Sequence, residues 1–273
     1  MISMYLDSSQ APSWARFPFI NHGYRPTPPS TQSITIMRSI LIALSSMLTW
    51  NIHNEWTNAW TMMVGLGVSF FLYTNMLRLH AHEMSYRDHT IFLAFFLSVV
   101  VHTPFSYLYH AACFISPTVK YFWLKMDLSF IFIASILLTI SFSLYVFPLW
   151  MTIVLVNASA FVAKSAITIL YKKEDIPTSD HDVKLMLLKL IAMIVAVYLF
   201  PIAYATLFMN APVIYLSIIV SSLGIGAISY ATCFPERLVD DGSVLNSSTL
   251  MHTMLVIAHI AEFYFLKWCF ENL

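Results

Sequence analysis

Seven windows of about 20 apolar residues follow one another along this chain, at 57–77, 90–112, 122–144, 149–170, 185–207, 211–233 and 249–268. At about 1.5 Å per residue each is long enough to cross a hydrocarbon core of about 30 Å as a helix. No run alternates with the period of two that barrel strands need. Backbone groups in lipid must satisfy one another, so the pattern predicts an all-α membrane protein, a bundle of seven transmembrane helices. An eighth apolar run, Ser39 to Trp50, is too short to span and follows Arg38, which predicts a helix lying in the interface. The chain therefore divides into an N-terminal segment, residues 1–56, that holds this short helix, and a seven-helix domain, residues 57–273.

Composition narrows the class further. Of 273 residues 59% are hydrophobic and only 10% charged, and the mean hydropathy is +0.73. That is more apolar surface than a soluble domain of this length could bury, so the solvent is a bilayer. The expected location is integral and multi-pass, in the plasma membrane or an endomembrane. No basic head followed by an apolar stretch and a cleavage site opens the chain, so no removable signal peptide is expected. Membrane lipids are the expected surroundings, and nucleic acid is not an expected partner.

Net charge is zero, with fourteen basic and fourteen acidic residues, but the basic ones are unevenly placed. With the N-terminus in the cytosol, ten fall on cytosolic segments, among them Arg25, Arg38, Lys120, Lys172 and Arg237. Only Arg78, Arg87 and Lys267 fall outside, and Lys164 lies within the fourth span. Positive residues favour the cytosolic side, so the N-terminus is expected in the cytosol and the C-terminus outside.

Four polar residues then gain meaning. Ser106 and His110 sit near the inner end of the second span, four residues apart and so on one helix face. Asp127 lies one to two turns into the third span and His252 in the first turn of the seventh. Ionisable groups are costly in the membrane and mark function there, and histidine and aspartate are residue types that bind or orient a metal and its water. His102 and His259 read as partners of neighbouring helices, and Lys164 and Glu262 lie too far apart in depth to pair. The cluster Arg78, His80, His82, Glu83, Arg87, Asp88 and His89 reads as a solvated outer loop, and Trp56, Trp60, Trp123, Trp150 and Trp268 as an interfacial belt. Arg25, Pro26, Pro28 and Pro29 predict an extended, poorly ordered stretch, and Cys113, Cys233 and Cys269 form no disulfide framework.

Several short motifs, in order, resemble those of the progestin and adipoQ receptor (PAQR) family, which is related to the alkaline ceramidases and haemolysin III-like proteins. They are Gly23-Tyr24-Arg25-Pro26; His53-Asn54-Glu55 with Asn58, Trp60, Thr61 and Gly65; Ser106 and His110; Asp127; and Pro235-Glu236-Arg237 ahead of His252. The resemblance covers nearly the whole chain. It implies a seven-helix bundle with a cytosolic N-terminus and a zinc ion near the cytosolic face, held by one histidine on the second span and two, four residues apart, on the seventh. By position His110 and His252 would be metal ligands, with Ser106 and Asp127 assisting catalysis.

One position departs from that pattern. Where the family has its other seventh-span histidine this chain has Ser248, and a neutral hydroxyl is a poor zinc ligand beside imidazole. His259, two turns beyond His252, and His102, two turns from His110, are too far along their helices to replace it, and His181 could reach in only from a folded-back loop. The expected cofactor is zinc, held weakly or lost. The resemblance implies a signalling receptor for a lipid, steroid or adiponectin-like protein ligand with a degenerate zinc site. The alternative is a ceramidase-like hydrolase in which zinc lowers the pKa of bound water to about 7 and Asp127 orients that water.

Overall fold

The computed structural model describes residues 6–27, 35–48, 53–172, 181–238 and 245–273, with the backbone alone for 46–48 and 181–188. The described residues form eight helices: α1 (Ile36–Leu48), α2 (Trp56–His80), α3 (Tyr86–Ala112), α4 (Pro117–Val146), α5 (Leu149–Lys172), α6 (His181–Phe208), α7 (Val213–Thr232) and α8 (Ser247–Asn272). The last seven are each long and apolar enough to cross a membrane, α6 through its portion Lys189–Phe208. The chain is an integral, multi-pass membrane protein built as a seven-span helix bundle.

Local chemistry sets several helix ends. Ser85 caps α3 in a reciprocal box with Asp88, which satisfies two amide groups the helix cannot. Ser116 caps α4 with Pro117 at the first helical position, where a missing N–H costs nothing. The Asn246 side chain accepts from Thr249 N at 3.0 Å and starts α8. The turn Cys113–Ser116 between α3 and α4 is short, so these two helices run antiparallel and pack along their length.

α4 is the hub of the bundle and packs against α3, α5, α6 and α8, while α8 packs against α7 and α2. Hydroxyls tie the helices where lipid offers no hydrophobic drive. Ser141 Oγ donates to Ile91 O at 3.0 Å from α4 to α3, and Thr152 Oγ1 to Ser143 O at 3.1 Å from α5 to α4. Each such bond contributes about 0.6–1.7 kcal/mol in a membrane. A Cβ on Gly65 of α2 would lie 2.9 Å from Val256 Cγ2 of α8, so the glycine sets how closely those helices approach. One end of the bundle is filled by aromatic residues such as Phe92, Phe95, Phe142, Phe263 and Phe265. The opposite end carries the N-terminal segment and the polar residues.

Three expectations change. The stretch around Arg25 is not loosely extended, because Arg25 is buried and donates to Ala111 O at 2.8 Å and His110 O at 2.9 Å. These are among the last carbonyls of α3, which have no partner within the helix and attract a cation. Pro28 and Pro29 lie outside the described residues. Trp123 is not a belt residue. It is buried, and its Nε1 donates to Ser39 Oγ at 3.1 Å, pinning α1 to α4. His181 is not in a loop but begins α6, and its side chain lies outside the described residues, as do Asp180 and Trp50. The short apolar run does form a helix, α1, with Ser39 and Ala43 buried and Met37 and Leu41 exposed.

Candidate ligand and metal site

α3 and α8 bring His110 and His252 together at the end of the bundle under the N-terminal segment. Their Nε2 atoms face each other at 3.0 Å with the rings perpendicular. Behind His110, Nδ1 is 2.5 Å from Glu55 Oε2, at the start of α2. Glu55 is held in turn by Asn58 Nδ2 at 2.9 Å, and Asn58 Oδ1 accepts from Thr249 Oγ1 at 2.6 Å. One buried chain of hydrogen bonds thus runs from α8 through α2 to α3. Nδ1 of His110 meets the Glu55 carboxyl group, and the 3.0 Å contact between the two Nε2 atoms requires one imidazole to donate and the other to accept.

Asp127 of α4 lines the same cavity, and its Oδ1 is 2.9 Å from Nε2 of His102. The two residues are mirror positions about the α3–α4 turn: His102 lies ten residues before Ala112 and Asp127 ten after Pro117. Asp127 is thus one to two turns deeper than the level at which the sequence reading put it, and His102 is the residue that meets it. Ser106 lies between His102 and His110 along α3. Its side chain is fully buried and its Oγ has no hydrogen-bond partner among the described residues, as is also true of His252 Nδ1.

A cavity of about 400 Å³ joins Glu55, His102, His110, Asp127 and His252. Its polar end is bordered by Glu55, His110, Asp127, Glu236, Ser248 and His252, and its apolar walls include Leu128 and Leu138 of α4, Val195 of α6 and Leu223 of α7. Phe17, Pro18 and Ile20 of the N-terminal segment cover the polar end. That segment is anchored by Arg25, whose guanidinium stacks 3.9 Å over Phe114, and by Lys120 Nζ, which donates to Trp14 O at 2.7 Å. Glu236, ahead of α8, accepts from Ser247 N at 2.6 Å and from Ser247 Oγ, which fixes the start of the helix that carries Ser248 and His252.

Electrostatics around the site follow burial. His53, just before α2, is pushed down to about 2 by burial and by the neighbouring Arg25 charge, so it is neutral. The Cys113 thiol, past the end of α3, is pushed up to about 12 by burial and the Glu55 carboxylate, so it stays protonated.

The donor set can be weighed against a zinc ion. Tetrahedral geometry with ligand distances of about 2.0–2.1 Å would hold two imidazole nitrogens about 3.3 Å apart, close to the separation of His110 and His252 Nε2. The carboxylate behind His110 is also the usual orienting partner of a metal-ligating imidazole. The set stops at two imidazoles, however. Ser248 offers a hydroxyl on the cavity wall, Asp127 is engaged by His102, and no cluster of three His, Cys, Asp or Glu side chains converges among the described residues. These residues do not fit a tightly held zinc with three protein ligands.

Sequence reasoning singled out His110, Asp127, His252 and Ser106. Of these, His110 and His252 meet directly, Asp127 lines their cavity, and Ser106 is buried on α3 between His102 and His110 and is not among the cavity-lining residues. Glu55 and His102 were missed as site residues. Glu55 sits where an apolar run begins, at the same end of the bundle as His110, and His102 is legible as the mirror position of Asp127.

The comparisons agree with this architecture. A family model described as haemolysin-III related matches residues 50–263, a stretch that takes in Glu55, His102, His110, Asp127 and His252. No curated protein matches the chain. The match covers most of the chain and all seven spans in whole or part, and the chain belongs to the haemolysin-III related family.

Proposed function

We propose that this chain is a PAQR-type seven-span receptor that takes a lipid or steroid ligand into the cavity of its bundle. The ligand's polar head would meet His110, His252 and Asp127, and the response would pass to the cytosol through the N-terminal segment that covers them. The observation that supports this reading is the cavity itself. Its volume of about 400 Å³, largely apolar walls and convergent polar side chains beneath the N-terminal segment suit an amphiphile far better than a water-soluble substrate. A folded protein ligand could not enter a space between packed helices.

The polar end also explains how a ligand could act. Phe17, Pro18 and Ile20 lie over it, so a head group bound there displaces or tightens the covering segment. A ligand shifts a conformational equilibrium only through such differential contacts.

One observation favours a second reading, zinc-dependent hydrolysis of a lipid amide: Glu55 stands behind His110 as a carboxylate does behind a metal-bound imidazole. Zinc would supply an activated water there. Ser248 leaves its donor set incomplete.

Two measurements on the purified protein separate the readings. The receptor reading expects saturable displacement of a fluorescent fatty acid, abolished by Leu128→Trp, which fills the cavity, together with zinc well below one ion per chain. Stoichiometric zinc that survives chelator dialysis, with release of fatty acid from ceramide, would establish the hydrolase instead.

A further inference from the structure

The cavity has a second polar feature at its other end. His259 of α8 borders it seven residues beyond His252, about 10 Å deeper along the helix axis. His259 Nδ1 lies 2.6 Å from Glu262 Oε2, one turn further on, and Glu262 is completely buried. Tyr198 of α6 lies beside Glu262, and the ring of Phe95 on α3 meets His259 edge to face. An acid and an imidazole set this deep in an apolar bundle are retained against a considerable desolvation cost, which marks them for a task.

The chemistry of that pair decides what it can bind. A buried acid–imidazole pair is electrically neutral only when it holds two protons between its members. One lies in the bond between Glu262 and Nδ1, and the other is on Nε2 of His259. Neutrality therefore makes Nε2–H a donor, and among the described residues no protein group accepts from it. His259 is also the member of the pair that reaches the cavity.

We propose that His259, set by Glu262, is a second recognition site that donates a hydrogen bond to an oxygen acceptor at the buried end of the ligand. The ligand is then an amphiphile with a polar group at each end of an apolar body roughly 10 Å long. One end lies at His110 and His252, and the other carries a carbonyl or a comparable oxygen. A simple fatty acid, with only a methyl group at its far end, leaves the His259 donor unpaired. This inference rests on the reading of the cavity as a lipid site and adds the class of lipid.

The test compares monomethyl sebacate, which carries an ester carbonyl at the far end, with dodecanoic acid, which has the same chain length and no acceptor. Binding of each to the purified protein in detergent is referred to its partition into the same micelles, so that differences in hydrophobicity cancel. The wild type should favour the ester by about tenfold, the value of one hydrogen bond in a dry site. His259→Phe, which keeps a ring and removes the donor, should bring the ratio back to about one. Equal binding of the two probes by the wild type overturns the proposal and leaves the lipid cavity standing. A preference that survives in His259→Phe also overturns it and assigns the contact to another group. If neither probe binds, both this proposal and the lipid-site reading fall. Should His259→Phe fail to fold, the wild-type ratio alone decides.

Discussion

His102 and Asp127 form a closed pair, Nε2 to Oδ1 at 2.9 Å, between α3 and α4 on the wall of the bundle cavity. Both side chains are about nine-tenths buried, so neither can turn to bulk water if the other is lost. Removing one member of a buried pair strands the other's polar group, whereas removing both does not. His102→Leu should therefore lower stability in detergent by about 3–5 kcal/mol, and adding Asp127→Leu should recover part of that loss. Thermal unfolding of the single and double variants checks this. Additive losses would show that the two residues are not coupled.

The position of Ser248 leads to a prediction about metal. Losing even an orienting partner weakens a metal site about 10–100-fold, so a site with only two imidazoles should hold less than one tight zinc per chain. Ser248→His would place a third imidazole four residues before His252, on the same face of α8. Elemental analysis after chelator dialysis should show occupancy rising toward one in this variant and falling again when His110→Ala is added. An occupancy that does not respond to Ser248→His would mean that α8 does not present this position to the ion.

The uneven distribution of basic residues leads to a prediction about topology. Tags on the N-terminus and C-terminus, probed in intact and permeabilised cells, should differ in accessibility, with the N-terminal tag reached only after permeabilisation. An N-terminal tag exposed on intact cells would turn the bundle over and put the covering segment on the outer side.

His53 ties stability to pH. Its folded-state value, about 2, lies below the ordinary 6.5. Above pH 6.5 it is neutral in both states and its contribution is complete. Between pH 6.5 and 2 the unfolded chain binds a proton that the native one does not, so stability falls with falling pH by up to about 1.4 kcal/mol per unit from this residue. His53→Gln should reduce the slope of unfolding free energy against pH between 6 and 4 by about one proton. An unchanged slope would remove His53 from the account.

Much of this was legible before the structure. Apolar run length alone located all seven spans, because lipid leaves the backbone little choice but a helix of about 20 residues. It also located α1, as a run too short to cross. Depth was harder to read. His110 and Asp127 were read as level because each lies near a span end, yet α4 starts at Pro117, earlier than its hydropathy suggests, and Asp127 sits correspondingly deeper. Trp123 and Arg25 were misread for a related reason. A tryptophan or arginine near a span end has the same composition signal whether it faces head groups or a partner such as Ser39 Oγ or the carbonyls of His110 and Ala111. Only tertiary packing distinguishes these cases. The His259–Glu262 pair was visible as two polar residues three apart, but its relation to a cavity depends on α3, α4 and α6 and lies beyond any local pattern.

The polar end of the cavity is assembled from residues far apart in the order of synthesis. Phe17 and Ile20 emerge from the ribosome before the other residues named at this end, and His252 follows six of the seven spans. Between them the chain must insert six helices before the seventh supplies the second imidazole. A chain that stops short of α8 lacks Ser248, His252 and His259 and cannot complete the cavity lining. On the proposed lipid-site reading, occupancy of the cavity would report that α8 has inserted, and a small molecule that fits it would stabilise chains in which α8 inserts poorly.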